Sequence, residues 1–159
     1  MSGARISEGT GTTNVATGVP VLDHLLSELA RAARFDLVLE NDPDDPEAEV
    51  DAAGTALGRA IAPRLAVGTH GEATLAADEA LAMVVVERSE RPLVASNADL
   101  TGAGGLGTDL AARFLGRLAD EAGLTIHVRL IEGEDTGHAL AAIFKALGVA
   151  LARASRADH

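Results

Sequence analysis

A chain of 159 residues with 24 acidic against 13 basic side chains carries a formal charge of −11, which repels a nucleic-acid backbone or an anionic lipid surface. A small anionic ligand would need a local basic pocket. The length suits one cooperative unit, or two small halves sharing a core, and with 47% hydrophobic residues but only 2% aromatics that core must be Leu, Val, Ile and Ala. Cysteine is absent, so disulfides and thiolate chemistry are excluded and any metal would be held by His and carboxylates.

The N-terminal stretch, Met1 to Gly18, is Gly- and Thr-rich without an apolar segment, and no later apolar run approaches the ~20 residues that span a bilayer. A soluble, cytoplasmic protein is the expectation. After Pro20, Leu22, Leu25, Leu26, Leu29 and Ala33 follow the i, i+3, i+4, i+7 spacing of one helix face. Phe35 to Glu40 then alternates as a strand covered mainly on one side. The acidic run Glu40, Asp42, Asp44, Asp45, Glu47, Glu49 and Asp51 matches no calcium-loop spacing, and with Pro43 and Pro46 inside it reads as a solvated connection. Val50, Ala53, Leu57 and Ile61 predict a second helix that stops at Pro63.

Three strands are predicted next, at Glu72 to Ala76, Ala82 to Val86 and Leu93 to Ala98. The Gly-rich break from Gly102 to Thr108 precedes a third helical stripe, Leu110, Phe114, Leu115, Leu118 and Ala122, ended by Gly123. Leu124, Ile126, Val128 and Leu130 alternate as a strand, and Leu140, Ile143, Phe144, Leu147, Ala150, Leu151 and Ala154 mark a long final helix. Leu29 to Phe35 overlays Leu118 to Leu124, and Leu57-Gly58 overlays Leu147-Gly148. The pattern suggests an internal duplication, with pseudo-repeats of roughly 17–98 and 99–155 inside a single domain, 1–159.

Four stretches carry a resemblance: TGVPVLDHLLSELARAARFDL from Thr17, GTALGRAI from Gly54, DEALAMVVVERSERP from Asp78, and GLTIHVRLIEGEDTGHALAAIFKAL from Gly123. In order and spacing they resemble the imidazoleglycerol-phosphate dehydratase family. The resemblance implies an α+β, internally duplicated fold of the ribosomal S5 domain 2-like type, two helix and four-stranded-sheet halves packed together. It also implies trimers that join into a larger metal-linked shell. That family removes water from imidazole glycerol phosphate in histidine biosynthesis with two manganese ions, whose coordination to the imidazole stabilises charge developing in the ring.

Family ligands come from a His-His-x-x-Glu motif once per half, with the first His and the Glu on one helix face. Here the first copy falls on Glu47, Ala48 and Asp51, and the second on Gly137, His138 and Ala141. His24 survives in the Leu-Asp-His-Met position, while the His expected a turn later is Ala32. The metal candidates are therefore His24, His138, Glu47 and Asp51, which reach three or more ligands only by converging across subunits. His70, His127 and His159 match no family ligand and suit solvated positions.

Arg91 and Lys145 match positions where the family grips substrate phosphate, whereas the family's Arg in the Arg-Phe-Gly turn is Thr69. The chain ends at His159 without the family's C-terminal substrate-binding Ser, and only a short Gly/Thr segment stands where the family has a longer N-terminal strand region. The leading expectation is a dehydratase-fold protein with reduced or no activity and no cofactor, kept for binding or assembly, with a phosphorylated small molecule as possible ligand and a homotrimer as the assembly. The alternatives are a manganese-dependent lyase with rearranged ligands, and a subunit that completes its site with an intact homologous chain. No catalytic residue is assigned.

Overall fold

The computed structural model describes residues 3–97 and 110–156. The strand expected at Leu93 to Ala98 is described only to Asn97, and the Gly-rich break and His159 lie outside the described residues.

Two short strands, β1 (Gly3–Glu8) and β2 (Thr13–Ala16), precede helix α1 (Pro20–Ala33) and strand β3 (Phe35–Glu40). They flank β3 in a three-stranded sheet, β1 antiparallel to it and β2 parallel. The segment expected to be only a Gly/Thr stand-in is thus two strands. Its signal was weak because only Ala4, Ile6 and Val15 pack toward the core while the intervening residues face out. Helix α1 buries Leu22, Leu25, Leu26, Leu29 and Ala33, as its periodicity predicts, and ends where Arg34 turns left-handed at φ 59.

Helix α2 (Pro46–Ile61) begins inside the acidic run that was expected to be a connection. Asp45 accepts the Ala48 amide at 2.9 Å as N-cap, and Pro46, whose missing N–H would have been unsatisfied anyway, takes the first helical position. Glu47, Glu49 and Asp51 therefore sit on a helix, and Glu49, expected in solvent, is buried against Gly18. A 3-10 turn, Ala62–Arg64, follows.

Strands β4 (His70–Ala77), β5 (Ala80–Arg88), β6 (Leu93–Ser96) and β7 (Leu124–Glu132) form a second sheet in the order β4-β5-β7-β6. Helix α3 (Leu110–Ala122) enters β7 through Gly123, at φ 67, and α4 (Thr136–Ser155) completes the fold. The architecture is α+β with two helix and sheet halves, and the first sheet has three strands among the described residues where four were expected. The sheets divide between Arg64 and His70, because β4 pairs with β5, and β5 and β6 both pair with β7.

The helices pair across the halves. Helix α1 packs on α4, and α2 on α3. A Cβ at Gly148 would overlap the Leu29 carbonyl, and one at Gly58 would lie 3.2 Å from the Leu118 carbonyl. These are the residues that the overlay of the two halves superposes, so each half lends a glycine to the other's helix. Phe114 and Phe144, both fully buried, meet with ring centroids 5.5 Å apart where the layers join. Helix α4 has the length and apolarity to cross a membrane, against the expectation that no segment does, but its apolar faces are buried on α1, β4 and β5. That is the composition of a core helix.

Candidate functional site

The N-terminal halves of α1 and α4 and the end of β4 enclose an open cleft of about 710 Å³. Pro20, His24, Glu28, Asp78, His138 and Lys145 are among its lining residues. Three of the six residues singled out from sequence, His24, His138 and Lys145, are brought together here.

His24 projects from α1, exposed, with Nε2 4.0 Å from the Glu28 carboxylate one turn on. Lys145, the only lysine in the chain, donates from Nζ to the Ala76 carbonyl of β4 at 2.9 Å. His138 stands in the first turn of α4, where its backbone N–H is capped by Asp135 at 3.0 Å.

The imidazole of His138 is held by the β4–β5 hairpin. Asp78 adopts a left-handed backbone, φ 53, which a small Asp side chain tolerates, and the two-residue turn carries Glu79 toward α4. Glu79 Oε1 lies 2.6 Å from His138 Nδ1, while Oε2 accepts the backbone N–H groups of Asp135 at 2.9 Å and Glu134 at 3.1 Å. Asp78 Oδ2 lies 3.4 Å from His138 Nε2, so both ring nitrogens face carboxylates. The Asp135 N–H, and after it His138, hold the Glu79 carboxyl at about 2, below its ordinary 4.5. Glu79 in turn raises His138 above 6.5.

Glu47 and Asp51 do not line the cleft. They lie on α2 opposite α3, where Arg113 and Arg117 reach them. Arg91 is exposed at the β5–β6 turn, with its carbonyl accepting the Thr125 hydroxyl. Ala76, which holds Lys145, pairs with Leu81 at one end of β5, and the seven steps along the strand to Arg88 span roughly 23 Å, so Arg91 and Lys145 occupy opposite ends of the sheet. Thr69 caps a turn through the Ala66 carbonyl, and His70 and His127 are exposed as expected.

Sequence reasoning missed Glu79, Asp78, Arg113 and Arg117. The i, i+4 spacing of Arg113 and Arg117 was a readable signal of one helix face; the reach of Glu79 to α4 depends on a fold contact between residues 59 apart. Among the described residues no group of three or more His, Asp or Glu side chains is arranged to hold a metal ion.

A family model described as imidazoleglycerol-phosphate dehydratase matches residues 17–151. The chain is 37% identical to the imidazoleglycerol-phosphate dehydratase of Pelobacter propionicus over 160 aligned positions, covering 95% of this chain and 82% of that protein. It is 38% identical to that of Azoarcus sp., covering 96% and 83%. Among solved structures, the Staphylococcus aureus imidazoleglycerol-phosphate dehydratase superposes with a TM-score of 0.86 at 30% identity, covering 99% of this chain and 95% of that one. The Pyrococcus furiosus protein, in complex with (S)-C348, superposes at 0.87 and 27% identity, covering 99% and 90%. Sequence order, fold and helix pairing converge, and the chain belongs to the imidazoleglycerol-phosphate dehydratase family.

Proposed function

We propose that this protein is a cytoplasmic, trimeric member of its family in which manganese-dependent dehydration is reduced or lost, and that its α1–α4 cleft holds a small phosphorylated ligand. The observation that carries the reading is the surroundings of His138. An imidazole with Glu79 2.6 Å from Nδ1 and Asp78 3.4 Å from Nε2 has both ring nitrogens set against carboxylates, which compete with a metal for its lone pair. The other positions of the two family motifs supply Glu47, Ala48, Asp51, Gly137 and Ala141, and the two carboxylates among them are engaged by arginines. This donor set does not fit a two-manganese centre.

Lys145 and His24 supply the basic character of the cleft, and Lys145 presents an ammonium that a phosphate would meet as a point charge. Arg91 would join the same phosphate only from another copy, given its place at the far end of β5. Binding of this kind weakens with salt.

The identity to relatives named as dehydratases favours the alternative, a working lyase whose metal ligands are completed between copies. One experiment separates the two: load the protein with excess manganese, desalt it, quantify bound metal and assay dehydration of imidazole glycerol phosphate. The proposed reading expects substoichiometric metal and no turnover, with salt-sensitive phosphate binding lost in Lys145→Ala. Stoichiometric manganese with turnover, abolished by His138→Ala, would establish the lyase.

A further inference from the structure

The first-motif carboxylates have acquired a cation of another kind. Glu47 and Asp51 lie one turn apart on α2, a like-charge i, i+4 pair in a chain of net charge −11. The Asp51 side chain is only 22% exposed, so its charge is partly desolvated and needs a counter-charge.

Helix α3 supplies it. Arg113 sets its fork on Asp51, Nη2 to Oδ2 at 2.5 Å and Nε to Oδ1 at 3.2 Å, and its Nη1 lies 3.8 Å from Glu47 Oε2. Arg117, one turn further, brings Nε within 3.6 Å of Asp51 Oδ1. Both Asp51 oxygens are thus occupied, in the planar two-point geometry that suits guanidinium. The approach is set by the backbone. A Cβ at Gly54 would lie 2.8 Å from both the Phe114 carbonyl and the Arg117 Cβ, so the helices run close enough for these side chains to reach.

We infer that Arg113, with Arg117 beside it, takes the place of a bound divalent cation between Glu47 and Asp51, so that α2 and α3 are clasped by guanidinium rather than metal. The inference rests on the reading that this motif no longer binds manganese. The clasp ties Pro46–Ile61 to Leu110–Ala122, and none of its residues lines the His24–His138 cleft.

The test uses the full chain, freed of metal by chelator and desalted. Wild-type Tm should not move with manganese, magnesium or chelator. Arg113→Met, which keeps the apolar stem, should melt a few degrees lower at low salt, with the gap narrowing at high salt. Manganese or magnesium should restore part of that loss, because Glu47 then loses its arginine and Asp51 keeps only the longer contact to Arg117, and Asp51→Asn in the Arg113→Met background should abolish the restoration. Arg113→Lys should fall between wild type and Arg113→Met. An Arg113→Met protein as stable as wild type at low salt, or one that gains nothing from either ion, would overturn the inference. Wild-type turnover lost in His138→Ala, with wild-type Tm still indifferent to metal, would defeat the functional reading and leave the role of Arg113 standing.

Discussion

Gly148 of α4 rests directly on the backbone carbonyl of Leu29 in α1, a contact closer than any side chain would permit. Leu29 itself is 1% exposed, and at this point the helices meet through backbone. Gly148→Ala should push the helices apart and cost ~1 to 3 kcal/mol, the range for overpacking a close-packed contact. Thermal denaturation of the variant gives the measurement, and an unchanged Tm would show that α1 and α4 can separate without loss.

Phe144 is fully buried and its ring lies 5.5 Å from that of Phe114 at an interplanar angle of 33°. Phe144→Ala should lower stability by ~3 to 5 kcal/mol, through lost transfer energy and the cavity left behind. Phe144→Leu, which refills most of the space, should cost much less. Urea titration of the pair checks both, and equal midpoints for Phe144→Ala and wild type would remove Phe144 from the core.

The His138–Glu79 contact predicts a pH window. His138 is raised above 6.5, so its contribution is complete below that value and is lost as pH rises through the raised folded pKa. Glu79 is depressed to about 2, so its contribution is complete above 4.5 and is lost as pH falls toward 2. The clasp between the hairpin and α4 is therefore strongest from about 4.5 to 6.5. His138→Gln should lie furthest below wild type in Tm inside that window and approach it at alkaline pH. Both groups are partly exposed, so the difference should be modest and shrink with salt. Parallel Tm–pH curves for the two proteins would show that the pair contributes nothing as ions.

Assembly offers a fourth check. With the second-motif imidazole turned to Glu79 and Asp78, no metal link between trimers is expected. Light scattering should report a trimer whose mass is the same with manganese and with chelator. A larger particle that chelator disperses would mean that metal still joins the subunits.

Much of the helical framework was legible because each stripe repeats at one period: Leu22 to Ala33, Val50 to Ile61, Leu110 to Ala122 and Leu140 to Ala154 are buried on the faces their spacing predicts. Strands β1 and β2 were not, since edge strands of four to six residues with one half-buried face differ little from polar loop. The acidic run misled for a related reason. Charge density reads as solvation, yet Asp45 and Pro46 together are a helix start, and only the close pass of Gly18 shows that Glu49 is covered.

The amino-acid sequence by itself determined the family and the helix faces, because these depend on residue identity and local period. Only the tertiary structure decided what the surviving charged groups do. Glu79 meets His138 across 59 positions and Arg113 meets Asp51 across 62, and such pairings follow from which helix and hairpin pack together. A carboxylate in sequence is a ligand, a cap or an ion-pair partner with equal ease. The cation that the fold brings within about 3 Å of it makes the choice, since electrostatic attraction at that range outweighs any local preference.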